Sequence, residues 1–333
     1  MEHEPMKKLE NTRILITGGA GFIGSNLVEK FLAQNNEVVV LDNFSTGKRE
    51  NLASFAGNKA FTLVEGDIRN MNDCRKALDG VEYVLHEAAL GSVPRSIKDP
   101  MTSTEVNIMG FVNMLYAASQ AKVKRFVYAA SSSTYGDSKT LPKKEDIIGK
   151  PLSPYAITKY VNELYAENFH NLYNIDTVGL RYFNVFGRRQ DPYGAYAAVI
   201  PKFVINILRH EPVRINGDGS YSRDFTYIEN VLQANELALL SENPQALNTV
   251  YNTACGSRTT LNELFEYLKN ELALFDPAAA GVEAVHGPER SGDIPHSLAD
   301  ISKAQQLLGY NPTHTVQQGL HECCKWYAEN LEV

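Results

Sequence analysis

The chain has 333 residues, and its 32 basic side chains against 39 acidic ones give a formal net charge of −7. An apolar fraction of 44% is ordinary for a globular chain with a full core and argues against a disordered protein. The acidic balance removes the electrostatic case for nucleic-acid binding, and four cysteines without metal-ligand spacing argue against a disulfide scaffold or a zinc module.

The first eleven residues, MEHEPMKKLEN, have neither the apolar run of a signal peptide nor that of a membrane anchor. No later stretch approaches the roughly 18 uncharged apolar residues that a membrane span needs. The eight histidines are scattered along the chain. We therefore expect a cytoplasmic protein that binds no metal, no membrane and no nucleic acid.

The N-terminal half alternates short apolar segments, typical of buried strands, with longer amphipathic segments, typical of helices. The predicted strands are Arg13–Thr17, Glu37–Asp42, Ala60–Glu65, Tyr83–Glu87, Arg125–Ala130 and Asp176–Leu180. Strands that are almost continuously apolar and separated by helices indicate a parallel sheet covered on both faces. The predicted fold class is therefore α/β, with a doubly wound parallel (Rossmann) sheet.

The alternation weakens after about Tyr182, where prolines and a turn interrupt the pattern. We assign residues 10–185 to a dinucleotide-binding domain, to which segments at about 224–254 return. Asp224–Ile228 and Val250–Thr253 are the candidate returning strands. Residues 186–223 and 255–333 then form a smaller, mixed α/β substrate lobe, with a cleft between the two lobes.

A glycine-rich turn follows the first strand. Gly18, Gly21 and Gly24 have the spacing GxxGxxG between a predicted strand and a predicted helix. Glycines allow a tight turn and let backbone amides approach a pyrophosphate at the helix N-terminus. The next strand ends in Asp42, whose carboxylate suits the ribose hydroxyls and repels a 2′-phosphate. The pattern favours NAD over NADP.

Two further segments carry candidate chemistry. Tyr155 and Lys159 form a YxxxK motif at the start of a predicted helix, where Ser153 is a suitable N-cap. Residues four apart share one helix face, so the ammonium group lies beside the phenol. The ammonium group and a cationic nicotinamide would both favour the phenolate form and lower the pKa of the tyrosine. A cluster of small hydroxyl residues, beginning at Ser131, follows the fifth predicted strand. Strand, serine cluster and Tyr/Lys helix together predict an oxidoreductase-type site.

These motifs resemble those of a known family. The GGAGFIG turn, Asp42, SSSTYG, YAITK and RYFNVFG are similar to the extended short-chain dehydrogenase/reductase family, in its nucleotide-sugar branch. Longer runs look like the UDP-N-acetylglucosamine 4-epimerases of bacterial surface-polysaccharide pathways: LGSVPRS, AASSSTYGD, IGKPLSPYA, RYFNVFGRRQDP, GAYAAVIP and HSLADISKA. The resemblance covers nearly the whole chain.

The resemblance implies a catalytic triad of Ser131, Tyr155 and Lys159. Tyr155 removes the O4 proton while the C4 hydride passes to NAD, and the 4-keto sugar then turns over before the hydride returns. The 4,6-dehydratases of the family carry an Asp-Glu pair where this chain has Ser132 and Ser133. Dehydration is therefore disfavoured, and uronate decarboxylation remains a distant alternative.

The resemblance also implies the binding residues. The expected NAD-binding residues are Gly18, Gly21, Phe22, Ile23, Gly24, Asp42, Asn43, Ser45, Thr46, Gly47, Asp67, Ile68, Ala88, Ala89, Leu90, Asn107, Ser131, Tyr155, Lys159, Tyr182 and Val185. The expected UDP-sugar-binding residues are Ser92, Arg95, Ser132, Ser133, Tyr155, Asn184, Ala198, Val199, Ile200, Arg214, Ile215, Asn216, Arg223, Arg290, Asp293 and Ser297.

Ser297 falls where simple galactose epimerases tend to have a bulky tyrosine, so a small residue there favours N-acetylated sugars. The predicted reaction interconverts UDP-N-acetylglucosamine and UDP-N-acetylgalactosamine. The corresponding uronic acid remains an alternative substrate, and a catalytically silent NAD-binding module remains an alternative of another class. In the family, helices equivalent to those at about 104–121 and 154–172 pack against a second subunit, which implies a homodimer.

Overall fold

The structure is a computed structural model, and it describes residues 8–194, 197–289 and 294–331. Two expected substrate residues, Arg290 and Asp293, lie outside the described residues. The strands are β1 (Arg13–Thr17), β2 (Glu37–Asp42), β3 (Phe61–Glu65), β4 (Tyr83–His86), β5 (Arg125–Ser131), β6 (Thr177–Tyr182), β7 (Val185–Phe186), β8 (Val213–Asn216), β9 (Ser222–Arg223), β10 (Thr226–Tyr227), β11 (Thr249–Thr253), β12 (Thr259–Thr260) and β13 (Ala284–Gly287).

A stretch of π-helix, Glu105–Gly110, precedes the fifth of the α-helices. The α-helices are α1 (Phe22–Ala33), α2 (Met71–Ala77), α3 (Val93–Lys98), α4 (Pro100–Thr104), α5 (Phe111–Ala121), α6 (Pro154–Tyr173), α7 (Val199–Leu208), α8 (Ile228–Leu240), α9 (Leu261–Leu272), α10 (Ser302–Leu308) and α11 (Val316–Asn330).

Seven parallel strands form the central sheet in the order β11-β6-β5-β4-β1-β2-β3. Leu15 on β1 lies opposite Val39 on β2 and Val84 on β4. The strand order reverses beside β1, so the loops after β1 and β4 separate and open a crevice at the carboxyl ends of the strands. The doubly wound fold predicted from the sequence is confirmed.

Alternate residues of each central strand point to opposite faces of the sheet, and each face has its own core. Ile14 and Ile16 of β1 pack in one buried cluster, with α1 and α8 residues such as Phe31 and Val231. Leu15 packs in the other cluster, with residues of α2, α5 and α6. Apolar residues at consecutive positions are therefore all buried, which is why the strand sequences lack polar alternation.

The two candidate returning strands differ in outcome. β11, which contains the predicted Val250–Thr253 segment, joins the central sheet beside β6, as expected. The segment Asp224–Ile228 does not join it, because β10 pairs with β7 in a separate two-stranded ladder. The ladders β8–β13 and β9–β12 belong to the C-terminal part of the chain.

The helix at 154–172 is confirmed as α6, and it begins where the sequence places its N-cap. The Ser153 hydroxyl accepts a hydrogen bond from the Ala156 amide at 3.1 Å, and Pro154 occupies the first helical position. The segment 104–121 is not one regular helix, since its first turn and a half is the π-helical stretch before α5. Among the described residues, no helix is long and apolar enough to cross a membrane.

Candidate active site

A cleft of about 440 Å³ opens at the carboxyl ends of the central strands, within the size range of small-molecule sites. It contains 20 of the 21 expected NAD-binding residues together with Asn184. The loops after β1, β2, β3, β4 and β5 form its walls, and α6 closes one side. The residues predicted separately along the sequence therefore lie in one site.

The glycine turn after β1 leaves no room for side chains. Gly18 has a φ of +68°, and a Cβ there would lie 2.8 Å from the backbone of Ala88. A Cβ on Gly24 would lie 2.2 Å from the carbonyl oxygen of Gly18. This close approach brings the N-terminus of α1, with its free amide groups, to the cleft wall. The turn therefore fits a pyrophosphate group of NAD.

Two carboxylates mark the end of the cleft that is next to β2 and β3. Asp42 accepts hydrogen bonds from the amides of Ala20 and Phe44, at 2.9 and 2.8 Å. The Arg69 side chain hydrogen-bonds to Asp67 and lowers the pKa of that carboxyl to about 2. Both groups line the cleft. A rigid, anionic wall suits ribose hydroxyls and opposes a 2′-phosphate, in keeping with NAD.

Ser131, Tyr155 and Lys159 lie at the opposite end of the cleft. The Lys159 ammonium donates to the carbonyl oxygen of Ala129 at 2.8 Å, which holds it against β5. The Ser133 hydroxyl donates to the Ser131 hydroxyl at 2.8 Å. The end of β5 and the first two turns of α6 therefore place the Ser131 hydroxyl, the Tyr155 hydroxyl and the Lys159 ammonium group together.

Burial dominates the pKa values of these groups. It raises the pKa of Tyr155, a hydrogen bond with Ser131 opposes that shift, and the charge of Glu87 adds to it. Burial lowers the pKa of Lys159 to about 8, with Glu87 opposing. The lowered pKa that the sequence predicted for Tyr155 is therefore not a property of these side chains alone.

One expected cofactor residue lies behind the cleft wall. The Asn107 side chain is buried, accepts from the Leu90 amide at 2.7 Å and donates to the Thr158 hydroxyl at 3.2 Å. It connects the loop after β4 to the catalytic helix. Asn107 therefore holds the loop after β4 and α6 in place without lining the cleft.

The expected substrate residues are more dispersed. Arg95 lines a smaller pocket beside the main cleft, and the Ser92 hydroxyl caps α3 by accepting from the Arg95 amide at 3.2 Å. The side chains of Ile200 and Ile215 belong to the hydrophobic core, so only their backbones are available to a ligand. Contact of these two residues with a substrate stays a prediction.

The other expected substrate residues lie around the C-terminal part of the chain. Arg223 donates to the carbonyl oxygens of Ser222 and Pro295, at 3.0 and 3.1 Å. The Ser297 amide donates to the carbonyl oxygen of Ser222 at 3.0 Å. Asn184 has a φ of +37°, and its side chain donates to the carbonyl oxygen of Asp224. Ala198 and Val199 begin α7, Arg214 and Asn216 are exposed on β8, and Ser132 and Ser133 follow β5.

The sequence analysis missed several cleft residues, of which Glu87 is chemically the most significant. Glu87 ends the strand-like run YVLHE, where burial of a carboxylate is not expected. The feature that could have predicted it is an acidic residue at the carboxyl end of a strand, because ligands bind at that edge of a parallel sheet. Arg189 and Asp191 also line the cleft.

Comparison with known proteins gives consistent matches. Residues 14–254 match the family described as "NAD dependent epimerase/dehydratase family". UDP-glucose 4-epimerase of Mycolicibacterium smegmatis is 34% identical over 322 residues, covering 95% of this chain and 98% of that protein.

Solved structures are similar over the same length. UDP-N-acetylglucosamine 4-epimerase of Methanobrevibacter ruminantium M1, in complex with UDP-N-acetylmuramic acid, has a TM-score of 0.90 and 38% identity, and the match covers 97% of this chain and 100% of that one. UDP-glucuronic acid 4-epimerase of Bacillus cereus, in complex with UDP-glucuronic acid and NAD, has a TM-score of 0.84 and 31% identity, with coverage of 96% and 99%.

Proposed function

The chain belongs to the NAD-dependent epimerase/dehydratase family as an NAD-dependent UDP-sugar 4-epimerase, and we propose that it interconverts UDP-N-acetylglucosamine and UDP-N-acetylgalactosamine. The observation that carries the enzymatic part is the meeting of Ser131, Tyr155 and Lys159 at one end of a cleft whose other end fits NAD.

In the proposed reaction, bound NAD takes the hydride from C4 of the sugar and gives it back to the opposite face. Tyr155 acts in its phenolate form, which the Lys159 ammonium and a cationic nicotinamide favour, and it removes the proton of the O4 hydroxyl and later returns it. Ser131, hydrogen-bonded to Tyr155, orients the phenol. Lys159 carries a positive charge beside the phenol, since its pKa of about 8 leaves most of the lysine protonated at neutral pH.

The two residues that follow Ser131 support epimerisation over dehydration. Ser132 and Ser133 follow Ser131, and hydroxyl groups do not supply the carboxylic acid and carboxylate that water elimination needs. The small side chain of Ser297 supports an N-acetylated sugar. The resemblance to the Methanobrevibacter enzyme, which is named for the same sugar, supports it too.

The first experiment is product analysis by NMR with UDP-N-acetylglucosamine, UDP-glucose and the uronic acid of UDP-N-acetylglucosamine in parallel. We expect the largest kcat/KM with UDP-N-acetylglucosamine. Faster turnover of the uronic acid would mean that the uronic acid is the substrate instead. The similarity to the UDP-glucuronic acid enzyme supports this alternative. No turnover of any substrate would indicate a silent NAD-binding protein.

Tyr155→Phe tests the mechanism separately from the substrate. The variant keeps the ring and loses the only group that accepts the O4 proton, so turnover should fall by about three orders of magnitude or more. Its NAD affinity and thermal unfolding should stay close to those of the unchanged protein. Near-normal turnover would contradict the assigned role.

We also propose that the protein is a homodimer through α4, the π-helical stretch and α6. Large apolar side chains on these elements are exposed, with 71% of Met101, 54% of Met109 and 67% of Leu172 accessible. Ile157, Leu164 and Leu172 repeat at seven and eight residues, so they lie on one face of α6. Such a face is typical of a protein interface.

Light scattering tests the interface. Leu164→Lys places a charge in the middle of the proposed interface and should give a monomer. Leu274→Lys is the matched control, because Leu274 is also an exposed leucine but follows α9, outside the proposed interface. An unchanged protein that is already monomeric at micromolar concentration would refute the proposal.

A further inference from the structure

A carboxylate outside the triad shares the cleft with it. Glu87 follows β4 and lines the cleft together with Tyr155, Lys159 and Tyr182. Its Oε1 accepts a hydrogen bond from the Tyr182 hydroxyl at 2.8 Å, and that hydroxyl accepts one from Asn235 Nδ2 at 2.9 Å. The chain of contacts from α8 through β6 therefore fixes the direction of the Glu87 carboxyl group.

The groups that face Glu87 determine its charge. Burial raises its pKa to about 7, and the Tyr182 hydrogen bond and the Lys159 charge oppose that shift. In the protein without cofactor, burial raises the pKa of Tyr155 and keeps its phenol neutral. The neighbouring His86 is also neutral, since burial lowers its pKa to about 3. Between about pH 7 and pH 8, Glu87 is therefore mostly ionised and Lys159 mostly protonated, so the two groups carry opposite charges at this end of the cleft.

We propose that the Glu87 carboxylate makes this site favour oxidised NAD, whose nicotinamide ring is cationic, over the reduced form, whose ring is neutral. A negative charge in a partly desolvated cleft stabilises a nearby cation more than a neutral ring. In a reaction whose cofactor begins and ends oxidised, such a preference keeps the resting enzyme in the oxidised form that starts each turnover. The inference rests on the proposed function only in requiring that NAD binds in the cleft.

A purely structural role for Glu87 makes a different prediction. In that case the residue only anchors Tyr182, and an uncharged acceptor of the same shape replaces it. Glu87→Gln keeps a carbonyl oxygen for the Tyr182 hydroxyl and removes the charge. Glu87→Asp keeps the charge and shortens the side chain. The two variants therefore separate charge from shape.

The experiment measures the oxidation state of the bound cofactor in the holoenzyme, without any sugar. Each protein, saturated with NAD, is equilibrated with a redox dye at about pH 7.5, where Glu87 is mostly ionised, and absorbance gives the ratio of reduced to oxidised cofactor. We expect this ratio to rise about tenfold in Glu87→Gln, equivalent to about 30 mV for a two-electron couple. In Glu87→Asp it should stay within about twofold.

Two conditions make the result specific for the charge. At about pH 7.5 Lys159 is still mostly protonated, so proton loss from Lys159 offsets little of the effect of removing the Glu87 charge. At pH 5.5 Glu87 of the unchanged protein is protonated, so its ratio should approach that of Glu87→Gln.

Three outcomes would overturn the proposal: an unchanged ratio in Glu87→Gln, the same change in both variants, or a difference that persists at pH 5.5. A protein that binds no NAD would overturn it as well. A protein that turns over no UDP-sugar but shows the expected ratios would refute the proposed function and leave this inference standing.

Discussion

The catalytic helix is held to the central sheet by a buried ion pair, and breaking that pair should be costly. Glu163 lies two turns of α6 beyond Tyr155, and Arg181 is on β6. The guanidinium donates two hydrogen bonds to the carboxylate, at 2.9 and 2.7 Å. The side chains are only 3% and 7% exposed. Arg181 also lies 4.9 Å from the ring centre of Tyr135.

Glu163→Gln removes the negative charge and leaves the Arg181 guanidinium buried without it. Breaking a buried ion pair by removing one partner costs about 3–5 kcal/mol, and the retained amide oxygen should keep the loss near 3 kcal/mol. The matched control is Glu82→Gln, which breaks the pair with Lys124, whose side chains are 37% and 62% exposed. An exposed pair contributes less than about 1 kcal/mol.

The free energy of unfolding is measured by urea denaturation followed by circular dichroism, for both variants and for the unchanged protein. Replacing both Glu163 and Arg181 by Met should cost less than the sum of the single changes, because neither charge is then left unpaired. Equal losses in Glu163→Gln and Glu82→Gln would refute the reasoning, since burial would then make no difference.

Three predictions concern the cofactor and pH. Gly24→Ala should weaken NAD binding in calorimetry by at least about tenfold, because its Cβ meets the Gly18 carbonyl, whereas Gly57→Ala, with open space around it, should not. Asp42→Asn should raise the affinity for NADP relative to NAD about tenfold, and an unchanged ratio would contradict the role of its charge. Turnover should fall as the pH rises through about 8, where Lys159 loses its proton. Lys159→Arg, which stays charged, should lose this alkaline limb of the kcat/KM profile.

The sequence by itself determined the alternation of strands and helices in the N-terminal half, the glycine turn and the spacing of Tyr155 and Lys159. These features depend on residues near one another in the chain. Continuous apolar runs predict buried strands, and a separation of four residues places two side chains on one helix face. The N-cap at Ser153 was predictable for the same reason, because a cap depends only on the residues next to the start of α6.

Only the tertiary structure decided which side chains face the cleft. The Glu87 carboxyl group is held in the wall by Tyr182, 95 residues further along the chain, and Tyr182 in turn accepts a hydrogen bond from Asn235, 148 residues beyond Glu87. Asn107 braces the wall from behind, and Ile215 turns into the core. Such orientations depend on the packing of elements distant in sequence, and no local pattern encodes that packing.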